Sequence, residues 1–175
     1  MRRRLPYVWG ATPEEVAASY PGEQHVPPGS VRMIRAVDTT ADRHELFTWL
    51  CQMRRAPYSY DLIDNRGRRS PRTADPALRE LAAGQRIAKI FTVVDFVEDD
   101  SITMRLRPGS MFGDLVMTYA IREGAAGRRL VGVLELPHRS GVRPAVNRWL
   151  LGWGDLVMMR KQLRTLTGLA ERSSR

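Results

Sequence analysis

At 175 residues, with 43% hydrophobic and 27% charged residues, the chain has the length of one hydrophobic core and the composition of an ordinary globular protein. No run approaches the roughly 18 apolar residues of a membrane span. Arg2, Arg3 and Arg4 are followed by Pro6, Gly10, Glu14 and Glu15 rather than by the apolar stretch of a signal peptide, so the expected location is cytoplasmic. The net charge of +9 is patched. Segments 1–30, 31–53 and 73–142 each balance, whereas 54–72 sets six arginines against Asp61 and Asp64, and 143–175 sets seven positive residues against Asp155 and Glu171. Almost all of the positive charge is arginine, which reads either as a solvated basic face or as an anion-attracting surface. No zinc-finger spacing, RNA-recognition signature or basic heptad array accompanies it, so nucleic acid is not an expected partner.

Residues 1–30 read as an arm with a short helix. Thr12-Pro13-Glu14-Glu15 is a helix start, with threonine at the cap, proline at the first helical position and a glutamate three residues after the cap. Tyr20-Pro21-Gly22 ends it. From Val31 to Asp38 the residues Val31, Met33, Arg35 and Val37 alternate with Arg32, Ile34 and Ala36, a strand with two usable faces. Asp38-Thr39-Thr40 is the expected cap of a helix over about 41–53, striped by Leu46, Phe47, Trp49 and Leu50. The lone cysteine, Cys51, lies in that stripe and reads as a small buried apolar residue. Beyond Pro57, residues 58–65 predict a second short helix, 66–72 a short extended piece and 76–81 a helical turn.

From Gln85 the period changes to two. Residues 87–97, 102–107, 115–121 and 129–136 predict four strands joined by short turns, hence antiparallel neighbours. After the loop 137–144 a long amphipathic helix runs to about residue 170, with Val146, Trp149, Leu150, Trp153, Leu156, Val157 and Leu163 expected on its sheet-facing side. Gly152 and Gly154 thin this helix, either for close approach to the sheet or at a solvated turn.

This order and its wording resemble the START-like, or SRPBCC, superfamily, which includes polyketide cyclases and lipid-transfer domains, and within it a branch found in actinobacteria. The matching phrases are Trp9-Gly10-Ala11-Thr12, then Phe47-Thr48-Trp49-Leu50-Cys51-Gln52-Met53, Tyr58-Ser59-Tyr60-Asp61 and Leu81-Ala82-Ala83-Gly84-Gln85-Arg86. They end at Trp153-Gly154-Asp155-Leu156-Val157-Met158-Met159-Arg160-Lys161-Gln162-Leu163. The resemblance implies an α+β helix-grip fold, a curved antiparallel sheet of about six to seven strands wrapped around the C-terminal helix. Residues 31–175 would form that single domain, with a cavity between sheet and helix. The superfamily has no universal catalytic motif, so function has to come from the cavity lining.

Chemistry is sparse. His25, His44 and His138 lie in different elements, and no metal-ligand spacing is present, so neither a metal nor a cofactor is expected. Candidate ligand-binding residues are Trp49, Tyr58, Tyr60, Arg105, Met117, Tyr119, Trp149, Trp153 and Leu156, because aromatics with polar edges hold flat apolar molecules. Trp49 and Trp149 read equally as plain core. Arg105 lines the cavity if its face is concave, and otherwise points outward with Thr103 and Arg107. The resemblance places a basic rim, Arg66, Arg68 and Arg69, at the cavity mouth, where it would attract the anionic end of a ligand.

Three functions fit. The leading one is binding of a hydrophobic or aromatic small molecule, lipid or polyketide-like. The second is a polyketide cyclase or aromatase-type enzyme, with Tyr58, Tyr60 or His138 as proton donor or acceptor. The third is a basic-surface interaction protein that meets nucleic acid, an acidic carrier protein or anionic lipid.

Overall fold

The computed structural model describes residues 5–60, 67, 69–108, 114–125, 127–138 and 140–174. Its centre is a seven-stranded sheet built from β1 (Val8–Trp9), β2 (Val31–Thr39), β3 (Arg86–Ile87), β4 (Phe91–Val97), β5 (Ser101–Leu106), β6 (Val116–Gly124) and β7 (Gly127–Leu136). The spatial order is β1-β2-β7-β6-β5-β4-β3, antiparallel throughout except for the parallel edge pair β1 and β2. A register shift between Val93 and Asp95 marks a bulge in β4, which strengthens the local bend and twist. Helices α1 (Pro13–Ala17), α2 (Arg43–Cys51) and α3 (Val142–Ser173) complete the fold, with α3 about 48 Å long at 1.5 Å per residue. The architecture is α+β, as expected.

Both sheet faces are covered. The concave face turns Met33, Met104, Tyr119, Ile121, Leu130 and Leu134 toward α2 and α3. On the convex face Ile34, Ala36, Ala120, Val131 and Val133 pack against Tyr20, Val16 and Val8 of the first thirty residues. Arg129 ties this covering segment down: its Nε donates to Glu15 Oε1 at 2.5 Å and its Nη2 to the Gly10 carbonyl at 2.6 Å. Burial on both sides explains why β6 and β7 carry nearly continuous apolar runs rather than a clean alternation.

The local signals differ in how they were realised. Thr12 caps α1 as expected, accepting from the Glu15 amide at 3.2 Å while Glu15 Oε2 accepts from the Thr12 amide at 2.7 Å. The cap of α2 is Asp42, not Asp38-Thr39-Thr40, since β2 extends through Thr39 and the Asp42 carboxylate accepts from the Glu45 amide. Tyr58–Tyr60 is not helical, Tyr58 having φ of 56°; the rest of the helix expected over 58–65 lies outside the described residues. The strand expected over 87–97 is broken, because Ala88 and Lys89 adopt φ of 45° and 65° and turn the chain between β3 and β4.

The main correction concerns the phase of α3. Leu156, Met159, Leu163, Leu166, Leu169 and Ala170 are buried, whereas Val146, Trp149, Leu150, Trp153 and Val157 are exposed, Trp149 by 49% and Trp153 by 38%. The wide apolar stripe mixes two faces, and the sheet takes the one nearer Gly152 and Met159. Two glycines set that choice. A Cβ on Gly132 of β7 would lie 2.6 Å from Met159 Sδ, and one on Gly152 would lie 3.0 Å from Pro6 Cγ and 3.4 Å from Met33 Sδ. Gly154, by contrast, has open space where a Cβ would stand.

Leu163→Ala is therefore expected to lower unfolding free energy by about 2–5 kcal/mol, the usual cost of emptying a buried leucine site. Trp153→Ala should cost less than about 1 kcal/mol, as a partly exposed surface residue. Urea denaturation of both variants checks the pair, and the reverse ranking would restore the original phase.

Candidate functional site: an apolar cavity with a polar pole

Between the concave sheet face and the first half of α3 lies a cavity of about 1070 Å³. Strand alternation supplies the floor, with Met104, Leu106, Met117, Tyr119, Leu134 and Leu136 projecting to one side. Helix periodicity supplies the roof from Leu150, Leu151, Gly154, Asp155, Met158 and Gln162. Ala88, Lys89 and Ile90, at the break between β3 and β4, line one end, with Pro57 and Ser59 nearby.

Within this apolar lining stands a polar cluster. The pairing register aligns Arg35 of β2 with Gly132 of β7, and Gly132 with Tyr119 of β6, along one concave row. Because Gly132 has no side chain, α3 descends over it and brings Asp155 and Gln162 into the same neighbourhood. Asp155 Oδ2 lies 3.0 Å from Arg35 Nη2; the Arg35 side chain is 0% exposed and that of Asp155 9%. Arg35 is further fixed by donation from Nη1 to the Tyr7 carbonyl at 2.8 Å and from Nη2 to the Gly152 carbonyl at 3.3 Å. The Tyr119 hydroxyl donates to Gln162 Oε1, and Gln162 Nε2 donates to the Pro57 carbonyl.

Burial disfavours the charged forms of Arg35, Tyr119 and Asp155. It pushes the Asp155 carboxyl up from 3.8 to about 6, with the Arg35 charge pulling in the opposite direction. The Arg35 guanidinium is lowered by burial and raised again by Asp155. The Tyr119 phenol is raised, first by burial and then by the Asp155 charge. It is a neutral donor at ordinary pH.

The residues singled out from sequence divide sharply. Met117 and Tyr119 stand on the cavity wall. Trp49 is buried away from it, its ring edge-on to Tyr58 and its Nε1 donating to Ser173 Oγ at 3.0 Å. Tyr58 is buried beside Trp49, Tyr60 and His138 are exposed, and none of the three lines the cavity. Leu156 is buried but off the wall, and Trp149 and Trp153 meet each other on the outer side of α3. Arg105 lies on the convex face, where it donates to the His25 carbonyl and pairs with Asp114 at 3.6 Å. Of the rim, Arg69 is exposed, while Arg66 and Arg68 lie outside the described residues.

Asp155, Gln162 and Arg35 were missed. The available signal was the spacing Leu151, Asp155, Met158 and Gln162, which sets a carboxylate and an amide on one side of an otherwise apolar helix. Cys51 is buried with its thiol pushed up to about 12 by that burial, so it is a packing residue. Among the described residues no three His, Cys, Asp or Glu side chains gather as a metal set, and no helix is long and apolar enough to cross a membrane.

The Asp155 shift carries a sign. A carboxyl raised in the folded state binds its proton more tightly there than in the unfolded chain, so the stability it contributes is full below about pH 4 and is lost as pH rises to about 6. Measured against Asp155→Asn, the relative stability of the wild-type protein should fall by on the order of 2–3 kcal/mol between pH 4 and pH 7. Urea denaturation at stepped pH checks this; a pH-independent difference would mean that Arg35 compensates the ionised carboxylate in full.

No protein-family model matches the sequence, and no curated protein matches it significantly. Similar solved structures exist. Protein MLL2253 from Mesorhizobium loti is 16% identical over 81% of this chain and 98% of its own, with a TM-score of 0.51. The di-domain ARO/CYC StfQ from the steffimycin biosynthetic pathway is 11% identical over 82% of this chain and 51% of its own, with a TM-score of 0.52. Protein NE0264 from Nitrosomonas europaea is 11% identical over 81% and 95%, with a TM-score of 0.50. Seven strands gripping one long terminal helix give this chain a helix-grip fold, the fold in which it is similar to these solved structures.

Proposed function

We propose that the chain binds a hydrophobic or aromatic small molecule in the cavity between the sheet and α3. The observation that carries this reading is the cavity itself: about 1070 Å³, walled mainly by Met, Leu, Phe and Ile side chains, with a few convergent polar groups. That combination is the ordinary form of a small-molecule site. Its size matches a polycyclic or lipid-like body rather than a metabolite of a few atoms. The likeness to StfQ supports the fold on which such a site is built.

A cyclase or aromatase-type enzyme is the second reading, favoured by Tyr119 and Asp155 on the wall. It would run on those two groups, since Tyr58, Tyr60 and His138 do not reach the cavity. The third reading, a basic interaction surface for an acidic carrier protein, nucleic acid or anionic lipid, draws support only from the charge of segments 54–72 and 143–175.

Gly154 offers a direct test, because it lines the cavity and has open space at its Cβ position. Gly154→Trp should lower affinity for a neutral polycyclic probe such as anthracene by roughly tenfold or more. It should do so without loss of thermal stability, since a helix interior gains up to about 1 kcal/mol when glycine is replaced. Unchanged affinity, read by probe fluorescence, would move binding elsewhere. The basic rim belongs to the same proposal: replacing Arg66, Arg68 and Arg69 by Gln should slow association of an anionic probe and flatten its salt dependence, while a neutral analogue is unaffected. Equal effects on both probes would assign the arginines to structure.

A further inference from the structure

The polar pole of the cavity has a fixed hydrogen-bonding sense. The Pro57 carbonyl accepts from Gln162 Nε2, which turns Gln162 Oε1 toward Tyr119. The phenol has one proton, and that oxygen takes it. What Tyr119 presents to the cavity is therefore an oxygen with lone pairs. Asp155, when ionised, is also an acceptor only. Its Oδ2 touches Arg35 as an ion pair without forming a directed hydrogen bond. Arg35 does not reverse this sense, because it lies wholly buried behind the carboxylate and turns its Nη atoms to the carbonyls of Tyr7, Ile34 and Gly152; the other cationic side chains of the lining, Lys89 and Arg148, belong to the β3–β4 break and to the start of α3.

A buried acceptor without a donor is costly to leave unmet. An anionic group placed at this pole meets two acceptors. A cationic one meets a carboxylate already neutralised by Arg35, so its own charge is buried without a counterion. A neutral hydroxyl can donate to the Asp155 carboxylate or the Tyr119 oxygen without burying a charge. Around the pole the wall is Met104, Met117, Leu134, Leu151 and Met159, which accepts an apolar body.

We infer that the cavity selects apolar molecules ending in a neutral hydroxyl, phenolic or aliphatic, which enters first and donates to the acceptor pole formed by Asp155 and Tyr119. This rests on the reading of the cavity as a binding site. It assigns ligand orientation as well as class: the hydroxyl lies inward at Asp155, and any anionic group lies outward at the mouth.

The test uses a matched pair of probes at pH 7.5, 2-hydroxyanthracene and 2-methoxyanthracene, with anthracene as reference, titrated by fluorescence. The wild-type protein should bind the hydroxy compound roughly tenfold or more tightly than the methoxy compound, the ratio that a hydrogen bond to an ionised acceptor supports. In Asp155→Asn the ratio should shrink to about threefold or less, because an amide can donate to the ether as well as accept from the hydroxyl. Tyr119→Phe, which leaves the Arg35 and Asp155 pair intact, should reduce the ratio also and serves where Asp155→Asn does not fold. Equal affinity of the two probes for the wild-type protein overturns the hydroxyl preference and leaves the cavity reading standing. A ratio unchanged in both variants overturns the assignment of the pole. Binding of none of the three compounds overturns the cavity reading together with the inference.

Discussion

The structure depends on where one long helix can touch one curved sheet. Helix α3 has 32 residues, and only its second half finds a continuous apolar surface, where Leu163, Leu166, Leu169 and Ala170 close against α2 and the sheet. Its landing point is set by Gly132, since any side chain there would occupy the volume of Met159. Close packing leaves little latitude about such a point. With the second half seated, the direction of the first half is determined, and it passes over the outer strands without filling the space beneath. The cavity is the remainder of that geometry. It requires no separate structural device.

The opposite face of the sheet is sealed in a different way. Residues 5–30 lie across it, with Tyr20 buried against Ile34 and Val131. Arginines at the margins fix their register: Arg129 binds Glu15 and Asp38, and Arg32 reaches Glu23, Glu135 and the Ala18 carbonyl. The desolvated pairs among these, Arg129 with Glu15 and Arg32 with Glu135, contribute little net stability, yet removing one partner is expensive, so they discriminate between alternative seatings more than they strengthen one. The space left on the convex face, about 420 Å³ beside Arg32 and Glu135, is smaller than the roughly 1070 Å³ on the concave side. The proposed ligand site on the concave side would be held by strands paired on both edges, which is the rigid setting that discrimination between similar molecules needs.

The architecture was legible because it is written in periods. Alternation in β2 and β5, the β-rich apolar runs of β6 and β7 and the Thr12 capping box each carry a local physical cause that the folded protein keeps. The site was less legible, for a reason that α3 illustrates. Trp149, Trp153 and Val157 are as apolar as Leu156 and Leu163, so hydropathy defines a stripe broader than any one contact surface, and tryptophan size suggested the wrong centre. The deciding information was Gly132, which sits on another element and acts by having no side chain. Asp155 and Gln162 were overlooked because a polar residue on an apolar helix face reads as an interruption until its partner is known. Arg35, on a strand 120 residues earlier, is that partner. Arg105 drew attention by the same logic, but the register turns it to the convex face toward His25 and Asp114.

Asp155 also stands at the midpoint between the two halves of α3. Toward the C-terminus, the helix is held by buried leucines; toward the N-terminus, Val146, Trp149, Leu150 and Trp153 are largely in contact with solvent or with one another. Local opening follows the segment with the fewest buried apolar contacts, so the first half of α3 has a lower free-energy cost of displacement than the second. The Arg35 contacts to Asp155 and to the Gly152 carbonyl tie α3 to β2 near the boundary of that half. Under the proposed binding reading, a molecule that settles against Asp155 would add contacts at this boundary. On that reading, occupancy of the cavity and seating of the helix would be linked through one carboxylate, because the group that would meet the ligand is the group that pairs the helix with Arg35 of the sheet.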